Sequence, residues 1–269
     1  MEELILSGRP KLEHQLHWMN SSNVLCNYMK EQAFLDKILT NRAIIPRYVM
    51  EPLEYLDIKE LSKICFPMTC FCDIPFSKVS THMSRYGEYG IGLDKEAVLK
   101  NYGIQPIHYM NDKSPLTNDF REAFQTFYKA DIKLQGAPQI LLNYLSGTLL
   151  YMKPIWGSEI KENGDVKNYV YQDECEWRYI PNNFPKELHL ILPQNETTEI
   201  AKQKYSEVLV NHPECWLRFE WRDVRYIMVP DEASVKNTIG TLLALDLEDS
   251  EKYMLISKIE VSKRFSDNM

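Results

Sequence analysis

Residues 168–181 read Asn-Tyr-Val-Tyr-Gln-Asp-Glu-Cys-Glu-Trp-Arg-Tyr-Ile-Pro, and their two-residue period sets the fold class. In an extended chain alternate side chains share a face. Tyr169, Tyr171, Asp173, Cys175, Trp177 and Tyr179 therefore fall on one side, and Val170, Gln172, Glu174, Glu176, Arg178 and Ile180 on the other. The first side is mostly aromatic and reads as core. The second sets two carboxylates and a guanidinium in a row, and two readings of that row stay open. Either it is a solvated face on which Arg178 pairs with Glu176 or Glu174, or the carboxylates converge on a cleft. In a cleft each would raise the pKa of the other and the arginine would lower it again.

The same period recurs over residues 188–192, 216–221, 224–229 and 253–261, with helices expected over 199–210 and 234–245. Upstream the pattern is helical. Phe120, Phe124, Phe127 and Tyr128 recur at three-to-four spacing after Thr117 and Asn118, and a second helix runs from Pro138 through Leu150. Ser21 and Ser22 precede a helical pattern through Leu25, Tyr28, Met29, Phe34, Leu35, Ile38 and Leu39 that closes at Asn41. Residues 57–64 read as a short helix. Residues 68–72 read as a strand bounded by Pro67 and by Asp73-Ile74-Pro75. Strands bunched late and helices bunched in the middle predict an α+β fold with a mostly antiparallel sheet. The expected organisation is a single domain over 1–269 with a helical insertion at about 111–156.

The 269 residues carry a formal net charge of -7 with 44% hydrophobic residues, an ordinary globular composition. The acidic balance argues against a non-specific nucleic-acid binder, which presents a basic face. The first residues are acidic where a secretory signal would be basic. The longest uncharged stretch, 134–152, carries Gln135, Gln139, Asn143, Ser146 and Thr148, too polar for a membrane span. The six cysteines form no Cys-x-x-Cys pair and read as reduced and buried. A cytoplasmic protein with no membrane contact is expected.

Residues 68–93 are dense in costly residue types. Gly87, Gly90 and Gly92 alternate with Tyr86 and Tyr89, and glycine there permits close backbone approach or a positive φ. Cys70, Cys72 and His82 fall short of the four ligands of a structural zinc site, so no metal is expected. His17 stands between Leu16 and Trp18, ahead of the first helical pattern.

Leu16-His17-Trp18, the run Ile44-Ile45-Pro46-Arg47-Tyr48-Val49-Met50-Glu51, the run from Cys70 to Ser77 continuing through His82 and Tyr86 to Leu93, and Glu174-Cys175-Glu176-Trp177-Arg178 together resemble the AbiGi family of bacterial abortive phage-resistance proteins. The resemblance covers most of the chain and is strongest over 65–110. It implies a role in anti-phage defence.

A second resemblance is to ADP-ribosyltransferases of the His-Tyr-Glu type, in the order His17, then Phe71-Cys72-Asp73 with Ser77 and Tyr86 or Tyr89, then Glu174 or Glu176. The small residue and Thr that follow the His in that family are Trp18 and Met19 here. This resemblance implies an ADP-ribosyltransferase-like fold and an effector that consumes NAD. Glu176 would bind the ribose 2′-hydroxyl and stabilise an oxocarbenium-like state, as a carboxylate does in glycoside hydrolysis. Glu174 would orient or activate the acceptor, and Tyr86 or Tyr89 with Phe71 would hold the nicotinamide. His17 would hydrogen-bond the adenosine ribose, and Arg178 would fix the carboxylates or contact phosphate. The alternative is a non-catalytic sensor or antitoxin-like protein whose partner comes from the same defence operon.

Overall fold

The strand Lys63–Cys72 joins three others. It pairs antiparallel with Arg47–Pro52 along residues 63–68, with Glu176–Tyr179 along residues 69–72, and with Val24–Met29 at the one register pair Cys26↔Cys72. Pro67 lies inside this strand instead of bounding it. It is paired on one side only, opposite Tyr48, so the N–H that proline lacks is not needed on the other. These relationships come from a computed structural model that describes residues 21–58, 61–128, 136–160 and 166–263.

The sheet has eight strands. Its order is Ile259–Val261, Val224–Val229, Tyr89–Asp94, Val24–Met29, Lys63–Cys72, Glu176–Tyr179 and Gln105–Pro106, with Arg47–Pro52 attached to Lys63–Cys72. Within this sheet every pairing is antiparallel except that between Val224–Val229 and Ile259–Val261, which matches the mostly antiparallel α+β expectation. One core cluster, containing Leu25, Leu35, Ile91, Leu93 and Leu242, joins the sheet to the helices Gln32–Asn41, Lys95–Tyr102 and Glu232–Leu243. A second, containing Phe66, Met68, Phe124, Leu145 and Leu149, joins Lys63–Cys72 to the helices Pro115–Tyr128 and Ala137–Leu149. Those two helices fall within 111–156. The first starts earlier than expected, because Ser114 Oγ accepts from Thr117 N at 3.2 Å.

Several sequence expectations are corrected. Residues 24–29 are a strand, and the helix begins only at Gln32, although it ends at Asn41 as expected. Pairing with Tyr89–Asp94 along all six residues outweighs the local helical spacing. Residues 57–64 form no helix among the described residues. Asp57 takes a left-handed conformation (φ 50) after the short turn Glu54–Leu56, and the strand has begun by Lys63. The expected strand over 253–261 is the end of the helix Asp249–Ile256 followed by Ile259–Val261. The strand over 216–221 shrinks to Leu217–Arg218, and 188–192 is irregular.

The largest correction falls on residues 168–180. They make two strands, Val166–Val170 and Glu176–Tyr179, separated by the turn Tyr171–Glu174 and by Cys175 in the left-handed region (φ 44). The two-residue alternation is therefore broken at Cys175. The reading of Cys175 as core is overturned, since this residue is exposed. So is the reading of the charged row as a solvated face, since Glu174, Glu176 and Arg178 are all buried.

Candidate functional site

Glu176 stands opposite Cys72, and Arg178 opposite Cys70, while Cys72 in turn faces Cys26. The two-residue period then collects Cys26, Tyr28, Cys70, Cys72, Glu176 and Arg178 on one face of the sheet. Because Val24–Met29 and Lys63–Cys72 are in register at a single pair, the strands part beyond it. Asn27 Nδ2 donates to Cys70 O at 2.8 Å across the gap. A cavity of ≈ 270 Å³ opens there, bordered among others by Tyr28, Glu51, His82, Tyr86, Lys153 and Glu176.

Charges of both signs are held beneath and beside it. Arg178, fully buried, donates from Nε to Glu176 Oε1 at 2.6 Å, from Nη2 to Glu51 Oε2 at 2.9 Å, and from Nη1 to Leu150 O at 2.7 Å. Lys153, in the short strand Met152–Pro154, donates to Glu174 Oε2 at 2.7 Å and to Glu176 Oε2 at 3.0 Å. Glu174 Oε1 accepts from Arg85 Nη1 at 2.7 Å and from the Tyr86 hydroxyl at 2.6 Å. Tyr109 accepts from Glu176 N at 2.8 Å, closing the arrangement from the backbone side.

These contacts decide the protonation states. Burial would push the Glu176 carboxyl up, but Arg178 and Lys153 outweigh it and hold the group at about 2. Burial works against the Lys153 ammonium and the Arg178 guanidinium. The glutamates beside them reverse that and hold both well above their ordinary values. Burial raises the Tyr86 phenol, so it serves Glu174 as a neutral donor. Burial lowers the His82 imidazole to about 4, overriding the pull of Glu174, and the ring lies between Tyr28 (5.7 Å) and Tyr86 (4.5 Å).

Of the residues singled out from the sequence, Tyr86, Glu174 and Glu176 come together at the cavity. Phe71 borders it, yet its side chain belongs to the main core with Leu25 and Ile91 on the opposite sheet face. Tyr89 lies elsewhere, its hydroxyl 3.0 Å from Ser234 Oγ. Arg178 is buried below the cavity and donates once from each guanidinium nitrogen, to Glu176, Leu150 O and Glu51. His17 lies outside the described residues.

Lys153, Glu51 and Arg85 were not singled out as site residues by sequence reasoning. The signal for Lys153 is a lone cation inside the apolar run Leu149-Leu150-Tyr151-Met152-Lys153-Pro154-Ile155-Trp156. Among the described residues, no group of three or more His, Cys, Asp or Glu side chains is arranged to hold a metal, and no helix is long and apolar enough to cross a membrane.

A model of the AbiGi family, described as abortive phage resistance protein AbiGi, antitoxin, matches residues 42–230, a span that holds the whole ion-paired cluster. The abortive phage resistance protein AbiGi of Lactococcus lactis subsp. cremoris is 33% identical over 241 residues, covering 81% of this chain and 96% of that relative. No solved structure matches. On the family match and on a relative aligned over nearly its whole length, this chain belongs to the AbiGi family of abortive phage-resistance proteins.

Proposed function

We propose that the chain is the antitoxin-side member of a cytoplasmic phage-defence pair, acting by binding a partner protein from the same operon and carrying out no catalysis of its own. The observation behind this reading is that the carboxylates at the cavity are already engaged. Both oxygens of Glu176 are bonded to cations, Oε1 to Arg178 and Oε2 to Lys153. Glu174 is bonded to Arg85 and Lys153, and Glu51 to Arg178. A carboxylate that stabilises an oxocarbenium-like state keeps its charge for the transition state. Here that charge is compensated in the resting protein, and the cluster reads as a structural keystone. The description of the matching family as an antitoxin points the same way.

The test is co-expression with the product of the neighbouring gene. A stable complex on size exclusion, growth restored in cells carrying that product, and no NAD consumption by the purified chain are expected. Absence of both complex and rescue would overturn the proposal.

A second reading, an ADP-ribosyltransferase-like effector that uses NAD, draws support from Tyr86, Glu174 and Glu176 bordering one cavity. The ≈ 270 Å³ available is below the roughly 300–1,000 Å³ of ordinary ligand sites, so most of a dinucleotide would lie outside it. NAD loss with the wild-type chain that disappears in Glu176→Gln, with the unfolding midpoint unchanged, would favour this reading over the first.

A further inference from the structure

The cavity has a polar lining that the ion-paired cluster does not use. Asn27 Nδ2 is committed to Cys70 O, which fixes the orientation of the amide and leaves Oδ1 as an acceptor. Glu51 binds Arg178 through Oε2, and its Oε1 has no hydrogen-bond partner among the described residues. Neither ring nitrogen of His82 makes a hydrogen bond among the described residues. At neutral pH this imidazole is uncharged and presents one acceptor nitrogen and one N–H. The unpartnered groups of the lining thus include acceptors, Asn27 Oδ1, Glu51 Oε1 and one His82 nitrogen, and donors, the His82 N–H and the Tyr28 hydroxyl, so a ligand that both donates and accepts is called for.

Shape and charge narrow the ligand further. Tyr86, His82 and Tyr28 form a continuous run of rings bordering the cavity, a wall suited to a flat partner. A cavity of about 150 Å³ takes up benzene, so ≈ 270 Å³ has room for a fused bicyclic ring. Formal charges around the cavity cancel, Glu51, Glu174 and Glu176 against Arg85, Lys153 and Arg178, which leaves no surplus cation among the described residues to attract a phosphate.

We propose that this cavity is a binding site for a flat, phosphate-free heteroaromatic ring carrying an amino donor, in chemical class an amino-substituted nucleobase. The amino group and ring N–H meet Asn27 Oδ1 and Glu51 Oε1, and the ring packs against Tyr86 with His82 at its edge. In an antitoxin-side protein such a site would couple partner binding to a small metabolite. The site stands on the cavity alone and does not depend on which functional reading holds.

The experiment titrates the full chain at neutral pH with adenine, with purine, which lacks the 6-amino group, and with ATP, each followed by calorimetry. Adenine is expected to bind with a Kd below about 1 mM, in keeping with a ligand of so few atoms. Purine should bind about fivefold more weakly, the worth of one hydrogen bond, and ATP more weakly than adenine. No adenine binding overturns the site. Equal binding of purine overturns recognition through the amino group, and tighter binding of ATP overturns the exclusion of phosphate. His82→Phe keeps the packing of the ring and removes its nitrogens. It should weaken adenine about fivefold with the unfolding midpoint unchanged, whereas unchanged affinity removes His82 from the site. Growth rescue by the chain is scored separately, so loss of adenine binding and loss of partner binding are told apart.

Discussion

Arg178 donates from Nε to Glu176 Oε1 at 2.6 Å, two residues back on the same strand, and both side chains are buried. Residues two apart share a sheet face, so the strand itself sets the pair. What makes it tolerable inside the protein is the surroundings: Glu51 takes a second guanidinium nitrogen, Leu150 O a third, and Lys153 the far oxygen of Glu176. Glu176→Gln leaves two buried cations short of an anion. Removing one partner of a buried pair costs about 3–5 kcal/mol, and denaturant unfolding should show a loss of that size. A change below about 1 kcal/mol would mean that Glu176 is free for catalysis, the opposite of the keystone role.

Acid should weaken the protein in two steps. His82 has an ordinary value of 6.5 and is lowered to about 4 by burial, with Arg85 and Lys153 adding to the shift and Glu174 and Glu176 opposing it. A base whose folded pKa is depressed contributes stability that is complete above about pH 6.5 and is lost as the pH falls toward about 4. Glu176, at about 2 against an ordinary 4.5, contributes stability that is complete above about pH 4.5 and is lost as the pH falls through about 2. Stability measured from pH 8 downward should decline from about 6.5, and in His82→Phe that first decline should be missing. The His82 imidazole, identified as the NMR signal missing in His82→Phe, would contradict the buried, neutral assignment if it titrated near 6.5 in the folded protein.

Gly87 holds the link between the helix Ser80–Tyr86 and the strand Tyr89–Asp94. Its φ of 113 lies where glycine is nearly the only residue found, and a Cβ there would meet Met29 O at 2.1 Å. The obstacle is backbone and cannot swing aside. Gly87→Ala should cost at least about 2 kcal/mol and displace Tyr86 from Glu174. Thermal unfolding reads the first effect, and the tyrosine hydroxyl resonance the second. Gly136, with a positive φ but nothing within 4 Å of its Cβ position, is the control, where only the smaller conformational cost should appear.

The parts of the site legible in the sequence are those within one local run. Glu174, Glu176 and Arg178 stand out because their two-residue spacing sets two carboxylates and a guanidinium in a row opposite the aromatics. Tyr86 stands out because glycines flank it. What alternation could not supply is the break at Cys175. A left-handed residue inside an apparently regular pattern leaves no trace in residue type when it is not glycine or asparagine. That break puts Glu174 in the turn Tyr171–Glu174, where it shares Lys153 with Glu176. Lys153 and Glu51 were invisible for another reason. Each is one charge in a separate element, 21 and 127 residues from the partners Glu174 and Arg178, and only the closed sheet brings them together. The first strand was lost to helical spacing for the same cause, since its partner Tyr89–Asp94 lies far along the chain.

Cys175 offers a simple check on this break. Had the alternation run through it, its thiol would be in the core. In the structure it is exposed, while Cys26, Cys65, Cys72 and Cys215 are buried and Cys70 is half-buried. Burial of its sulfur and the nearby carboxylates of Asp73 and Asp173 raise the Cys175 thiol above its ordinary value, so it should react more slowly than a free cysteine but far faster than the other five. A water-soluble disulfide reagent should therefore modify one thiol quickly in the native protein and all six after unfolding, and Cys175→Ser should abolish the fast phase. Retention of that phase in the variant would return Cys175 to the core and restore an unbroken strand from 168 to 180. The charged row would then lose the turn that brings Glu174 to Lys153.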